Sequence, residues 1–291
     1  MNVITDLLLP AALAFIMFSL GLGLRAENFR RVVARPKALA AGLLGQMVLL
    51  PALALGIALL LRLPPEMAAG LMILAACPGG VSSGLITQLA RGETALSISL
   101  TAITSLLAVA SLPFIVDLTL GFFEVAGGTA DFSVARLARG MFLLTTVPVV
   151  LGMLLRHFRA GLAERLQVPA ERLSTLLFLA IVLATFVSQR QALAEHLGGI
   201  GPAAALLNLS TMAAGFAVAA AAGLDVRGRI AIVSECGLQN AALGIYVAAT
   251  VLQAPRLAVP SVVYALLMNV SAIALIVYMR RSGKENACVI G

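Results

Sequence analysis

Residues 66–90 read EMAAGLMILAACPGGVSSGLITQLA, a run with no charge after Glu66 and Cys77-Pro78-Gly79-Gly80 at its middle. A helix that crosses the hydrocarbon core needs about 20 mostly apolar residues, and this run is long enough. Proline removes a backbone donor and collides with the preceding turn, and glycine lowers the cost of leaving helical geometry. A second run, residues 228–252, is interrupted in the same way by Ser234-Glu235-Cys236-Gly237-Leu238-Gln239-Asn240. Backbone that leaves the helix at membrane depth persists only when buried in protein or lining a cavity. Two such interruptions together are hard to explain as packing kinks and read as a pair of discontinuous spans.

Outward from these runs the chain is apolar almost throughout. Of 291 residues, 61% are hydrophobic and 11% charged, and the mean hydropathy is +1.04. Charge this sparse cannot solvate the surface of a soluble globule, which is about a quarter charged. A disordered chain needs the opposite composition. Nine apolar runs emerge, at 7–24, 38–61, 66–90, 93–122, 137–155, 173–189, 198–222, 228–252 and 257–279. They are separated by Arg25 to Lys37, Leu63-Pro64-Pro65, Arg91-Gly92-Glu93, Gly127 to Asp131 and similar breaks. The expected fold class is therefore an all-α polytopic membrane protein with nine transmembrane helices. The first run lacks a basic leader and a small-residue cleavage site, so it reads as a retained span.

Placing the N-terminus outside leaves only Arg62, Arg136, Arg139, Arg190 and Arg256 on the outer side; the rest of the twenty Lys and Arg fall on the cytoplasmic side. This is the positive-inside bias, and it predicts a multi-pass protein of the plasma (inner) membrane with a cytoplasmic C-terminus. The net charge of +7 is thus a signature of topology. No Trp is present and aromatics are 5%, so no stacking platform for nucleic acid is expected. Cys77, Cys236 and Cys288 form no CxxC pair and indicate neither a disulfide framework nor zinc. No obligate protein partner is evident.

Glu235 carries the most chemistry. A carboxylate at mid-membrane costs about 3 kcal/mol even on lenient insertion scales, so it needs a cation, a partner or a proton. No Lys or Arg falls deep in any run, which leaves a bound metal cation, a proton, or a neutral hydrogen-bonded acid. Gln239, four residues on, shares a helical face with Glu235. Oxygen ligands of this kind suit hard ions, whereas zinc or copper calls for His or Cys clusters. Paired broken spans mark the midplane site of secondary transporters. The third of the first four spans and the fourth of the last five would correspond if two five-helix units of opposite orientation had lost one leading helix. That gives an inverted repeat of four plus five.

The segments CPGGVSSGLITQLARGETALSISLT (77–101) and SECGLQNAALGIYVA (234–248) resemble two helices of the bile acid:sodium symporter family. The likeness extends to IMFSLGLGL (16–24), Gln46 before Pro51, and VPSVVYALLMNVS (259–271). It is closest to the nine-helix form. The resemblance implies a panel domain from helices at about 7–24, 137–155 and 173–189, and a core domain from about 38–122 and 198–279. It implies that the two discontinuous helices cross in the core, and that an organic anion of bile-acid or small carboxylate type is imported with sodium by alternating access. It further implies two Na+ sites. One would use Ser83, Ser97, Thr101 and Glu235; the other Gln46, Glu235 and Gln239 with the carbonyls of Cys236 and Leu238. Substrate would meet Val81, Asn240 and Asn269, helped by N–H groups at the broken-helix ends. Gly84 stands where bacterial relatives often place an Asn that coordinates the first sodium, so Ser82 or water would have to substitute there.

Plainer roles exist for several of these residues. Ser97 and Thr101 can bond back to their own helix, and Asn240, Asn269 and Gln46 can serve as interhelical glue. A proton in place of sodium, with Glu235 titrating, is the alternative coupling. An intramembrane enzyme would need a second ionisable group near Glu235, and the runs hold none.

Overall fold

The computed structural model describes residues 7–125 and 133–288, so the break expected at Gly127 to Asp131 lies outside the described residues. Among the described residues the fold is all helical, with no strand. The helices are α1 (Leu9–Gly23), α2 (Ala26–Val33), α3 (Pro36–Leu60), α4 (Pro65–Ala76), α5 (Ser83–Leu89), α6 (Thr94–Phe122), α7 (Val134–Phe158), α8 (Ala160–Ser188), α9 (Arg190–Ala221), α10 (Val226–Gly237), α11 (Ala241–Val251) and α12 (Val259–Cys288). Six are long and apolar enough to cross a membrane. The bent pair α1–α2, turned by 73° at its junction, makes seven if counted as one span; α4 and α11 are shorter apolar helices.

Exposure follows the solvent expected for such helices. Phe114, Leu118, Phe122, Leu176, Leu183, Phe186, Leu209 and Ile273 are exposed, which is an outward belt of apolar side chains that a water-soluble protein would bury. Charges gather at helix ends and pair there: Arg25 and Arg156 approach Glu164 at 3.2 and 3.8 Å, Arg256 approaches Glu66 at 3.6 Å, and Arg35 meets Glu93. Among the described residues Glu235 is the only carboxylate that is fully buried.

Several segments read as breaks are helical. Residues 26–33 form α2, with Val32 buried and Arg30 and Arg31 exposed. The apolar run expected at 173–189 is the end of α8, which begins at Ala160 and continues through Pro169. Only Arg159 separates it from α7. Polar residues there extend the helix rather than ending it, because an exposed Arg or Glu is a good helix former.

Two packing groups frame the site. In one, α1 lies against α7 and α8. A Cβ on Gly21 would overlap the Val149 carbonyl, and one on Gly152 would overlap the Phe18 carbonyl. Such small residues let helix backbones approach closely in apolar surroundings. In the other, α4 and α10 are buried through most of their length, between α3, α6, α9 and α12.

Candidate functional site

Both breaks form where local chemistry dictates. Pro78 disfavours helical geometry at the residue before it. Cys77 is accordingly extended (φ −69°, ψ 151°) and α4 ends at Ala76. Helix α10 starts on an Asp225 cap, whose carboxylate accepts from the Gly228 N–H at 2.8 Å. It ends at Gly237, with Leu238 extended (φ −111°, ψ 103°). Asn240 starts the next helix: its side-chain oxygen accepts from the Leu243 N–H at 3.1 Å, the usual service of an N-cap asparagine.

The two extended segments meet. Gly79 and Gln239 form an antiparallel bridge; the Gly80 N–H donates to the Leu238 carbonyl at 2.7 Å and the Asn240 N–H to the Pro78 carbonyl at 3.0 Å. Each break thereby satisfies backbone groups of the other in a buried setting, which neither can do alone.

Glu235 sits against this junction. Its Oε2 lies 2.9 Å from Ser83 Oγ, 3.3 Å from Ser97 Oγ and 2.9 Å from Thr101 Oγ1. The hydroxyls also touch one another, at 3.0 Å between Ser83 and Thr101 and 3.2 Å between Ser97 and Ser83. The Thr101 hydroxyl is 3.1 Å from the Ser97 carbonyl as well, so its single proton serves its own helix, Glu235 or Ser83. By contrast Glu235 Oε1 is buried without a hydrogen-bond partner, although a buried polar atom is normally paired. The donor set is all oxygen, and no group of three or more His, Cys, Asp or Glu occurs among the described residues. This set fits a hard monovalent cation rather than a transition metal.

A second set joins Gln46 of α3 to Gln239 just past the end of α10. Gln46 Nε2 donates to Gln239 Oε1 at 2.7 Å and to the Cys77 carbonyl at 3.1 Å. Gln239 Nε2 donates to the Cys236 carbonyl at 2.9 Å and approaches Gln46 Oε1 at 3.3 Å. Gln46 is placed by a wider π-helical turn, Leu44–Leu49, inside α3. Pro51 just beyond lacks the N–H that would bond the Met47 carbonyl, and such turns concentrate at functional sites. The Leu238 carbonyl is taken by Gly80. A narrow cleft bordered by Gln46, Cys77, Pro78, Thr104 and Ser111 adjoins this set.

The residues expected to meet the anion are less closely grouped. Asn240 is buried, and with its oxygen committed to the cap, its Nδ2 has no partner. Val81 is half-buried against the main core. Asn269 is exposed on α12 and donates to the Ala265 carbonyl of its own helix at 2.6 Å. Ser82 is exposed, outside the hydroxyl cluster that Ser83 joins. At Gly84 a Cβ would lie 2.7 Å from Ile98 Cγ1, so a neighbouring side chain occupies the space that one at Gly84 would need. Sequence reasoning passed over Asn208 and Tyr264, which bond the end of α10; an Asn amid the apolar residues 198–222 was the available signal.

The model of the sodium bile acid symporter family matches residues 10–196, well over half of the chain. The chain belongs to the sodium bile acid symporter family. Over 281 residues it is 30% identical to a probable chloroplastic sodium/metabolite cotransporter of rice (Oryza sativa subsp. japonica), covering 96% of this chain and 65% of the rice protein. It is 30% identical over 274 residues to the uncharacterized sodium-dependent transporter YocS of Bacillus subtilis (strain 168), covering 94% of this chain and 83% of that one. A second probable chloroplastic cotransporter of rice is 29% identical over 256 residues, 86% of this chain and 60% of its own length. The chain thus spans less than two thirds of either rice relative. Membership of this family and the six long apolar helices together make the chain a multi-span membrane protein.

Proposed function

We propose that this symporter-family chain couples the import of an organic anion, of bile-acid or small carboxylate type, to sodium by alternating access. One observation carries the reading. The crossing of the two breaks holds a buried carboxylate oxygen without a donor, Glu235 Oε1, and a buried amide donor without an acceptor, Asn240 Nδ2. The first is a place for a cation and the second for an anion, five residues apart in sequence. Sodium-dependent relatives support the choice of cation.

In this reading one sodium is held by Glu235 with the Ser83, Ser97 and Thr101 hydroxyls. A second is held by Gln46, Gln239 and Glu235 with the Cys236 and Leu238 carbonyls. Taking the second requires the Gln46–Gln239 amide pair to turn its oxygens toward the ion and the Leu238 carbonyl to share its bond with Gly80. Val81, Asn240 and Asn269 meet the anion. Because the neutralised carboxylate no longer repels an anion beside it, each ligand tightens the other to the same degree.

The same proposal extends to architecture. The six long helices, α1, and the two broken spans α4–α5 and α10–α11 make nine crossings in a four-plus-five inverted repeat. Helices α1, α7 and α8 form the panel and the remainder the core, with the N-terminus outside and the C-terminus cytoplasmic in the plasma membrane.

The test uses purified protein in detergent and in proteoliposomes. A ligand that binds only the folded state raises apparent stability with its concentration. Sodium, against potassium at equal ionic strength, raises the melting temperature, and an inward sodium gradient drives uptake of a labelled bile acid or keto acid. No sodium-specific shift, together with uptake driven by low external pH in sodium-free buffer, overturns the reading in favour of a proton.

A further inference from the structure

Gly237 ends α10, and its carbonyl is one that a helix leaves without an internal partner. Two side chains take it. Asn208 Nδ2 of α9 donates to it at 2.8 Å and the Tyr264 hydroxyl of α12 at 3.0 Å. Asn208 Nδ2 also lies 3.2 Å from the Tyr264 oxygen. The two amide hydrogens and the one phenol hydrogen therefore close a ring of three bonds with nothing left over. Thr211, one turn along α9, donates to the Asn208 carbonyl at 3.0 Å. Asn208, Thr211 and Tyr264 are all buried, and Tyr264 is completely so.

The neighbouring carbonyls point elsewhere. That of Cys236 accepts from Gln239 Nε2 at 2.9 Å, and that of Leu238 accepts from the Gly80 N–H at 2.7 Å. Three consecutive carbonyls are thus fixed by different partners: Gln239 of the same break, Asn208 and Tyr264 of α9 and α12, and Gly80 of the other break. Successive peptide planes are joined through two soft dihedral angles at each Cα, so holding the middle plane limits how far the planes on either side can turn. The segment VPSVVYALLMNVS (259–271), which the family resemblance includes, contains Tyr264. The anion reading uses Asn269 from this segment and gives Tyr264 no task.

We infer that Asn208 and Tyr264 are positioning residues for the cation site, holding the Gly237 peptide so that the Cys236 and Leu238 carbonyls are presented to the Gln46–Gln239 side of the crossing. The inference rests on the sodium reading above. It assigns α9 and α12 a part in ion affinity although neither supplies an ion ligand. A merely structural pair would set the melting temperature of the ion-free protein and leave ion affinity and selectivity alone.

The experiment measures sodium and lithium dissociation constants by thermal stabilisation of the purified full chain, with potassium as the ionic-strength control. The variants are Tyr264→Phe, which keeps the ring, Asn208→Ala, and both together. Each single change is expected to raise the sodium constant about three- to tenfold, the scale of one buried hydrogen bond, and to alter the sodium-to-lithium ratio. Maximal uptake at saturating sodium stays within about twofold, and the pair is no worse than the worse single, as for groups acting as a unit. If one variant does not fold, the other decides. A sodium constant unchanged in a folded variant, whatever happens to the ion-free melting temperature, overturns the inference while the sodium reading stands. A wild-type protein indifferent to sodium overturns both, and is recognised before any variant is made.

Discussion

Gly79 lies so close to Glu235 that a Cβ on the glycine would overlap the carboxylate at Oε1 and Cδ. The proline–glycine break and the buried acid are therefore one device: the first discontinuous segment has no side chain at the point where the acid of the second comes against it. The unpartnered Oε1 faces this backbone, so the glycine sets the room available beside the carboxylate.

Gly79→Ala is accordingly expected to displace Glu235 and weaken sodium activation of uptake by at least about tenfold, equivalent to roughly 1.4 kcal/mol. Sodium titration of uptake in proteoliposomes checks this. An alanine variant with an unaltered sodium constant would mean that Glu235 moves aside at no cost and that the contact carries no function.

Glu235→Gln keeps the size of the side chain and removes its charge. Sodium-specific stabilisation and sodium-driven uptake should both disappear, while the ion-free melting temperature holds or rises, because a buried charge without a counter-ion is costly. Uptake at the wild-type rate in sodium buffer would remove Glu235 from the coupling mechanism.

The Thr101 hydroxyl has three acceptors within reach, the Ser97 carbonyl at 3.1 Å, Glu235 Oε2 at 2.9 Å and Ser83 Oγ at 3.0 Å. If it only bonds back to its own helix, Thr101→Val leaves sodium affinity as it was. If it belongs to the cation site, that variant raises the sodium constant by about tenfold, in the range for a hydrogen bond to a charged group, and Thr101→Ser restores it. Paired sodium titrations of the two variants separate the roles.

Gln46 and Gln239 are joined by two contacts between their amides, at 2.7 and 3.3 Å. Single alanine substitutions should each weaken sodium binding, and the double should cost less than their sum by about 0.5–3 kcal/mol, the usual coupling for residues in one network. Additive losses would show that the two amides act separately.

What was legible in the sequence was local. Pro78, Gly79 and Gly80 announce a helix end through backbone chemistry, and a Glu amid apolar residues announces a buried site through its cost. Gln46 and Gln239 are 193 positions apart; the family resemblance put them in one site, and no periodicity carries that distance. Ser83 rather than Ser82 was named through the family resemblance alone, because the break destroys the helical phase that would have told which way α5 faces. The span at 173–189 was seen without the more than three turns that precede it because apolarity marks where a helix meets lipid, not where it begins; α8 starts at Ala160.

Gly84 and Ile98 pack beside the candidate cation site. Each is the next residue after a hydroxyl ligand candidate, Ser83 on α5 and Ser97 on α6, and those hydroxyls are 3.2 Å apart. With no side chain on Gly84, Ile98 fills the gap and the two helices approach; a Cβ at Gly84 would stand 2.7 Å from Ile98 Cγ1. Alanine in a helix is intrinsically favoured over glycine by about 1 kcal/mol, but overpacking costs about 1–3 kcal/mol. Since Cγ1 moves only by rotation about χ1, which a helix restricts strongly for Ile, the clash should win. Gly84→Ala should therefore lower the melting temperature and, by parting Ser83 from Ser97, raise the sodium constant. Ile98→Ala removes the colliding atom. Adding it should restore part of both losses, so that the double variant binds sodium more tightly than Gly84→Ala alone. Strictly additive effects in stability and in sodium binding would mean that the two residues do not set the spacing of α5 and α6.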